Sequence, residues 1–482
     1  MRTRQLLIGI IAAILALLTM PGFGQQEAST KSSVRIESDG KVHRWRNSTG
    51  VSDFNIEFRG KIEVTDDDKD IKSISEDGFL EISKTVFGSR RRIVIEPIGG
   101  GKLAKDYYEG RSKVQWEPAG RKWLGEILPE IVRTTTLAAQ SRVDRIFKKG
   151  GARAVVEEIR EIESDYVRSH YGKLLFEKDI ENRELPNIIS SLASSIKSDY
   201  YLSTLLKSNI KKLMSTKESS DAFFKATLNI SSDYYKSVVL KEALQQSSAS
   251  PDQIRVILQS ASEINSDYYL STVLIALLEG TNVKEESLNE LVRTTSKINS
   301  DHYRTQVLTK VLNKQGISKA TAKSVVDALM DISSDHYKTS VINSLADKAM
   351  DTETQTEVIT MISNSVSSDY YASVSLRKML QKQNLTDASF KILVNTASRM
   401  SSDHYASEVL KEAVQKSESK QQLIDICVAA SEINSDHYLS TVLIEVARKI
   451  ESGDNNVKDA YRRAAKHIRS ETYYGRALRA ID

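Results

Sequence analysis

The sequence is poor in the residues that build disulfide scaffolds and loop-rich enzymes. A single cysteine, Cys427, excludes an intrachain disulfide framework and any zinc or iron–sulfur centre assembled from several thiolates. Six prolines and 21 glycines in 482 residues exclude collagen-like or disordered composition. Beyond Ala152 the only glycines are Gly172, Gly280, Gly316, Gly453 and Gly475. That stretch is expected to be mostly helix, because a helix interior loses about 1 kcal/mol to each glycine and about 3 to each proline. Neither charge sign dominates: 68 Lys plus Arg against 64 Asp plus Glu leave a formal charge of +4, which argues against a polycationic nucleic-acid binder. With 27% charged and 40% hydrophobic residues, a membrane-spanning body is excluded as well. The marks of common enzymes are missing: no His-Glu-x-x-His, no Gly-x-Ser-x-Gly, no phosphate-binding loop and no Cys-x-x-Cys. The expected complement is therefore no enzyme activity, no cofactor and no metal.

What is present begins with an export signal. Arg2 and Arg4 precede the apolar run Leu6 to Met20, and Pro21 and Gly22-Phe23-Gly24 follow, so residues 1–24 read as a secretory signal peptide. The alternative is an uncleaved anchor, for which the run is short. Residues 25–31 read as a flexible leader and the location as the periplasm or the exterior of a bacterium, with no transmembrane domain after cleavage. Residues 32–118 then carry short runs of period two at Val34 to Glu37, Phe54 to Phe58, Ile62 to Val64, Phe79 to Ile82, Ile93 to Glu96 and Val114 to Trp116. This period puts one face on a core and the other in water, and predicts a small all-β domain. Asp77-Gly78 is expected as a hairpin turn. Asp66-Asp67-Asp68 lacks calcium-loop spacing and reads as an exposed turn, Arg90-Arg91-Arg92 as an edge-protecting run, and Lys102 to Gly110 as a loop or edge hairpin.

From Pro118 on, the sequence repeats. Ser-Asp followed by Tyr or His recurs with Asp at 165, 199, 233, 267, 301, 335, 369, 403 and 436, and a degenerate copy has Glu471: seven steps of 34 residues, then 33, then 35. Such a period marks an array of one supersecondary unit. Upstream of the Asp, apolar residues such as Ile254, Ile257, Ala261 and Ile264 form one helical face. Downstream, Tyr303, Val307, Leu308, Val311 and Leu312 form another. The expected fold is an α-solenoid of about ten two-helix, 34-residue repeats, tetratricopeptide- or HEAT-like, at 153–456. A helical cap opens it at 119–152 and a capping repeat closes it at 457–482.

The turn concentrates the polar residues. Ser198, Ser232, Ser266, Ser300, Ser334, Ser368, Ser402 and Ser435 are expected to cap the second helices, each worth roughly 1 kcal/mol, with Asp adding favourable charge at the helix start. Adjacent Ser, Asp and His cannot form a catalytic relay within one turn. Thirteen of the 19 tyrosines sit one or two places after the recurring Asp. The second slot (Tyr201, Tyr235, Tyr269, Tyr303, Tyr337, Tyr371, Tyr405, Tyr438) is expected to pack between helices with its hydroxyl on a polar partner. The first slot, Tyr200, Tyr234, Tyr268, His302, His336, Tyr370, His404 and His437, is expected to form a ladder along one edge. It serves either as a repeated contact between units or as a binding surface for protein, peptide or glycan. Arg462, Arg463, Lys466, Arg469, Arg476 and Arg479 give the last cap a basic surface, and Cys427 reads as core.

The tetratricopeptide signature Trp-x-x-Leu-Gly-x-x-Tyr is absent. The chain instead resembles uncharacterised exported bacterial α-solenoid proteins and the extracytoplasmic regions of some β-lactamase-sensor-type metallopeptidases. The resemblance rests on Trp123-Leu124-Gly125-Glu126-Ile127-Leu128-Pro129 and on repeats such as Ile230-Ser231-Ser232-Asp233-Tyr234-Tyr235, and covers about 123–482. Neither the multi-span domain nor the zinc motif of those peptidases is present. The resemblance implies an accessory or sensing module at a bacterial envelope.

Overall fold

The computed structural model describes residues 27–29, 32–38, 42–49, 51–246, 249–280, 283–314 and 317–481. The signal-peptide reading of 1–24 lies outside them. The chain divides into two compact units, Met1–Asn229 and Ile230–Asp482.

In the first unit, antiparallel strands β1 (Glu27–Ser29), β2 (Ser32–Ser38), β3 (Val42–Ser48), β4 (Ser52–Arg59), β7 (Phe79–Val86), β8 (Ser89–Pro97), β9 (Leu103–Glu109) and β10 (Ser112–Val114) form one sheet in that order. Strands β5 (Ile62–Val64) and β6 (Ile71–Ile74) form a second, two-stranded sheet. Strict alternation sets the register. Trp45, Ile56, Ile82, Ile93 and Tyr107 stand opposite one another on five successive strands, and all are buried. Their face closes on β5, β6 and the helix Arg121–Thr134 through Trp123, Leu124, Ile127, Leu128 and Ile131.

Four readings of this region are corrected. Strand β1 begins inside the expected leader. Lys102 to Gly110 is largely strand β9, between β8 and β10. Arg90 to Arg92 lie on β8, which is interior to the sheet and not at its edge, and Arg92 sits 4.4 Å from the Tyr108 ring. Asp77-Gly78 does not close a hairpin: it links β6 of the small sheet to β7 of the large one.

The Asp66-Asp67-Asp68 run also has a role the sequence did not show. The helix Ala139–Glu161, which breaks at Gly150-Gly151 where Gly151 takes φ +65°, lays Arg142, Arg145 and Lys149 against it. Asp68 receives Arg142 at 2.8 Å and Arg145 at 2.6 Å, and Asp66 receives Lys149 at 2.7 Å. Arg142 is 2% exposed and also reaches Glu158 at 2.8 Å and the Tyr171 hydroxyl at 2.5 Å. Burial disfavours the Arg142 charge, but Tyr171, Asp68 and Glu158 outweigh it and the guanidinium is held firmly protonated. Four helices then follow the repeat register: Ala152 to Glu161, Asp165–Phe176, Leu185–Ser195 and Asp199–Ser208.

The second unit continues that register. Every second helix starts on the recurring acid: Asp233–Gln246, Asp267–Gly280, Asp301–Leu312, Asp335–Ala346, Asp369–Lys382, Asp403–Lys416, Asp436–Ala447 and Glu471–Ile481. First helices alternate with them, among them Pro251–Ala261, Lys319–Leu329, Thr352–Ser365, Asp387–Ser398 and Lys420–Ala430. Ile254, Ile257, Ala261 and Ile264 from a first helix and Val307, Leu308, Val311 and Leu312 from a second are at most 2% exposed, as the two apolar stripes require. Second helices pack on successive second helices and first on first, which makes two layers. The chain is thus a small β-sheet domain followed by an α-solenoid of about ten two-helix repeats.

Candidate functional site: the repeating turn and its aromatic row

The recurring Asp binds the following repeat. Asp233 Oδ2 accepts the backbone N–H groups of Asn265 (3.0 Å) and Ser266 (2.8 Å), one repeat downstream. Asp267 accepts those of Asn299 and Ser300, Asp301 those of Ser333 and Ser334, and Asp403 those of Asn434 and Ser435. Asp335 takes Ser368 and Asp369 takes Ser402, both at 2.7 Å, and Asp436 takes Arg469 and Ser470 of the closing repeat. In the first unit Asp165 does the same to Lys197 and Ser198. Each turn leaves its backbone donors without a partner in its own repeat, and the preceding carboxylate satisfies them.

The expected serine caps are therefore corrected. Ser198, Ser300, Ser334, Ser368, Ser402 and Ser435 do occupy the N-cap position with extended backbone, but their side chains make no cap hydrogen bond. Ser232 and Ser266 come no closer than 3.5 Å to the amides they would cap. What these serines supply is the main chain: the carbonyl opens the helix, as from Ser300 to Arg304 N–H at 3.0 Å, and the N–H reaches back to the upstream Asp. Side-chain caps occur on first helices instead, from Thr216, Ser250, Ser318, Asp351, Thr386 and Ser419. These lie in the polar linkers, and the hydroxyl or carboxylate ahead of each first-helix stripe was a signal for them.

The aromatic slots interlock across repeats. Each first-slot ring meets the second-slot ring of its own turn and that of the next. Tyr234 lies 5.0 Å from Tyr235 and 5.8 Å from Tyr269, and Tyr268 lies 5.2 Å from Tyr269 and 5.8 Å from Tyr303. The series runs on through His302, Tyr337, His336, Tyr371, Tyr370, Tyr405, His404, Tyr438 and His437 to Tyr473 without a break. Most of these contacts are edge-to-face, the arrangement that sets a ring's positive rim on its neighbour's negative face. The expected hydroxyl partner is found at Tyr337, 3.5 Å from His302 Nδ1. First-slot rings keep one side in solvent: Tyr200, Tyr234, Tyr268 and Tyr370 are 42–54% exposed, and His302, His336, His404 and His437 are exposed too. Small buried Ser237, Ser271, Ser373, Ser407 and Ser440 lie beneath the row, and each hydroxyl donates to the carbonyl of the first-slot residue three places back.

Cations three places after the Asp were missed by sequence reasoning. Arg168 donates to Ser195 O (2.7 Å), Lys338 to Ser365 O (2.7 Å) and Arg304 to Ile298 O (3.0 Å), while Lys236 pairs with Glu263 at 2.5 Å. Each neutralises the carbonyl or acidic end of a first helix. The slot holds Leu202, Leu270, Ala372, Ala406 or Leu439 in other repeats, and that alternation was the available signal.

Arg462, Arg463, Lys466, Arg469, Arg476 and Arg479 are all exposed on the closing repeat, with Arg462 3.8 Å from Asp459 and Arg476 over the Tyr473 ring. Cys427 is fully buried, and burial pushes its thiol up to about 12. Among the described residues there is no group of three or more His, Cys, Asp or Glu placed to hold a metal ion, and no helix is long and apolar enough to cross a membrane. A cavity of about 460 Å³ between first helices is lined by Arg153, Glu157, Arg160, Arg183 and Glu184; there Arg160 is paired with Glu157 and Arg183 with Glu181. A second, of about 210 Å³, lies beside Tyr166 and Tyr200.

No protein-family model matches the chain, and no curated protein matches it. Among solved structures, one described as a circular tandem repeat protein with novel repeat topology and enhanced subunit contact surfaces is similar at 11% identity and a TM-score of 0.20, over 76% of this chain and 90% of that one. Another, from the computational design of self-assembling cyclic protein homooligomers, is similar at 12% identity and a TM-score of 0.10, over 71% and 96%. At these scores the likeness carries neither fold nor function to this chain.

Proposed function

We propose that the chain is a non-enzymatic scaffold or sensing module of the bacterial envelope, periplasmic or secreted, whose α-solenoid binds a protein or peptide. The observation that carries this reading is the unbroken row of half-exposed aromatic rings in Ile230–Asp482. Each ring is held on two sides by neighbours, so little side-chain entropy is left to lose on docking, and aromatic anchors of this kind dominate protein interfaces. The test is photo-crosslinking in envelope extract from probes placed at Tyr268 and Tyr370. The reading expects a defined partner captured at both positions and lost when Tyr234, Tyr268 and Tyr370 are changed to Ala. Recovery of no partner, or of the same proteins from the altered row, contradicts it. A second reading, a glycan-binding ladder, is favoured by the open ring faces at Tyr268 and Tyr370. Polysaccharide pull-down unaffected by changing Tyr268, His302, His336 and Tyr370 to Ala removes it.

A further inference from the structure

The repeat is regular enough that its departures stand out, and two of them meet at one junction. Seven places after the Asp the chain carries a buried Leu or Ile in every other complete repeat, among them Leu206, Leu240, Leu274 and Leu308, but Gly172 in the first. A Cβ there would stand 2.9 Å from Leu205 Cδ2 of the next second helix, so the glycine permits that approach. Ten places after the Asp the other repeats carry an apolar residue, such as Leu175, Ala243 or Leu277, but the second carries Asn209. Its side-chain amide donates back to Leu205 O at 2.8 Å, and the helix Asp199–Ser208 stops there. Breaks in an otherwise self-consistent pattern tend to mark functional positions.

The cavity of about 210 Å³ opens at this junction, within the first unit. Pockets for drug-sized ligands usually run from about 300 Å³ upward, so this one is sized for a single ring. Its walls hold the Tyr166 and Tyr200 rings, the His170 imidazole, the Thr204 and Ser208 hydroxyls and Asn209. Among the described residues the His170 ring, both hydroxyls and the Asn209 side-chain oxygen make no hydrogen bond. Burial, with the Lys173 ammonium and His43 nearby, holds the imidazole below its ordinary value, so the ring is neutral near pH 7 and offers one donor and one acceptor. Hydroxyls, a neutral imidazole and an amide oxygen around an aromatic wall suit a ligand whose rim both donates and accepts while its faces present C–H groups to a ring.

We propose that this cavity is a binding site for one saccharide ring, free or at the end of a glycan chain. The site is independent of the partner proposed for the aromatic row. Its test is ligand-observed NMR on the full-length protein with glucose, galactose and N-acetylglucosamine, then with an oligosaccharide of whichever sugar binds. Binding is expected with a dissociation constant of about 1 mM, typical of a single small ring. It should weaken at least tenfold in Ser208→Trp, which fills the opening from an exposed position, and in Tyr200→Ala, and stay unchanged in Tyr268→Ala. Tighter binding of the oligosaccharide assigns a chain end, and equal binding assigns the free sugar. Absence of binding by any of the sugars, retention of binding in Ser208→Trp, or equal displacement by acetate, which would make Lys173 the anchor of a carboxylate site, overturns the proposal.

Discussion

Asp301 accepts the backbone N–H groups of Ser333 and Ser334 in the next repeat, while the Ser300 hydroxyl beside it makes no cap hydrogen bond. Removing the carboxylate leaves two part-buried amides to find water, and bonds to a charged acceptor are worth about 1.5–3 kcal/mol. Asp301→Ala is expected to cost about 2 kcal/mol in urea unfolding, and Ser300→Ala less than about 0.5. A cap role for the serine would bring its loss to roughly 1 kcal/mol. The residue types of the turn were legible in the sequence, since Ser-Asp at a helix start satisfies the helix dipole whichever side chain bonds. The partner was not: a bond 32 or 33 residues long depends on how repeats stack, which local spacing does not encode. Cys427, legible as core from its place beside an apolar stripe, is raised by burial to about 12. It should resist thiol reagents in the folded protein at pH 8 and label promptly in denaturant, and rapid labelling of native protein would contradict its burial.

Among the elements, the β-sheet and the helix Ala139–Glu161 are joined by charge at the turn of Asp66 to Asp68. Arg142 is the pivot, buried between Asp68 and Glu158. Burial pushes the Glu158 carboxyl up, but hydrogen bonds from Arg133 and Arg142 outweigh it and hold it below its ordinary value. Its contribution is therefore complete above the unfolded carboxylate range near pH 4.5 and is lost as pH falls through the lower folded value. Urea midpoints should drop below about pH 4.5 in the wild type and drop less in Glu158→Gln, which at pH 7 should already have lost about 3 kcal/mol by stranding a buried guanidinium. Identical pH profiles for the two proteins would contradict the assignment. Period-two runs such as Phe54 to Phe58 were enough to place their strands. Strands β3 and β9 escaped notice because charged and polar residues hold most of their positions, as in Val42 to Ser48, and pairing with neighbours on both sides keeps them extended.

For the whole molecule, the 34-residue register made the solenoid readable from sequence, because every copy must bury the same stripes on the same neighbours. What the register could not give is how the copies are joined. The structure answers with two parallel devices, a carboxylate at each turn that holds the next turn's amides and a row of rings that interlock edge to face. Both reach only to the adjacent repeat, so loss of one link should loosen one junction and leave the others intact. The measurement that tests this most directly is native-state amide exchange in Asp301→Ala and Ser300→Ala. The account predicts that Asp301→Ala speeds exchange at the Ser333 and Ser334 amides at least tenfold, leaves the Asn265 and Ser266 amides held by Asp233 unchanged, and has no counterpart in Ser300→Ala. Undiminished protection at Ser333 and Ser334, or equal loss in both variants, would contradict the claim that the recurring acid is the link between repeats.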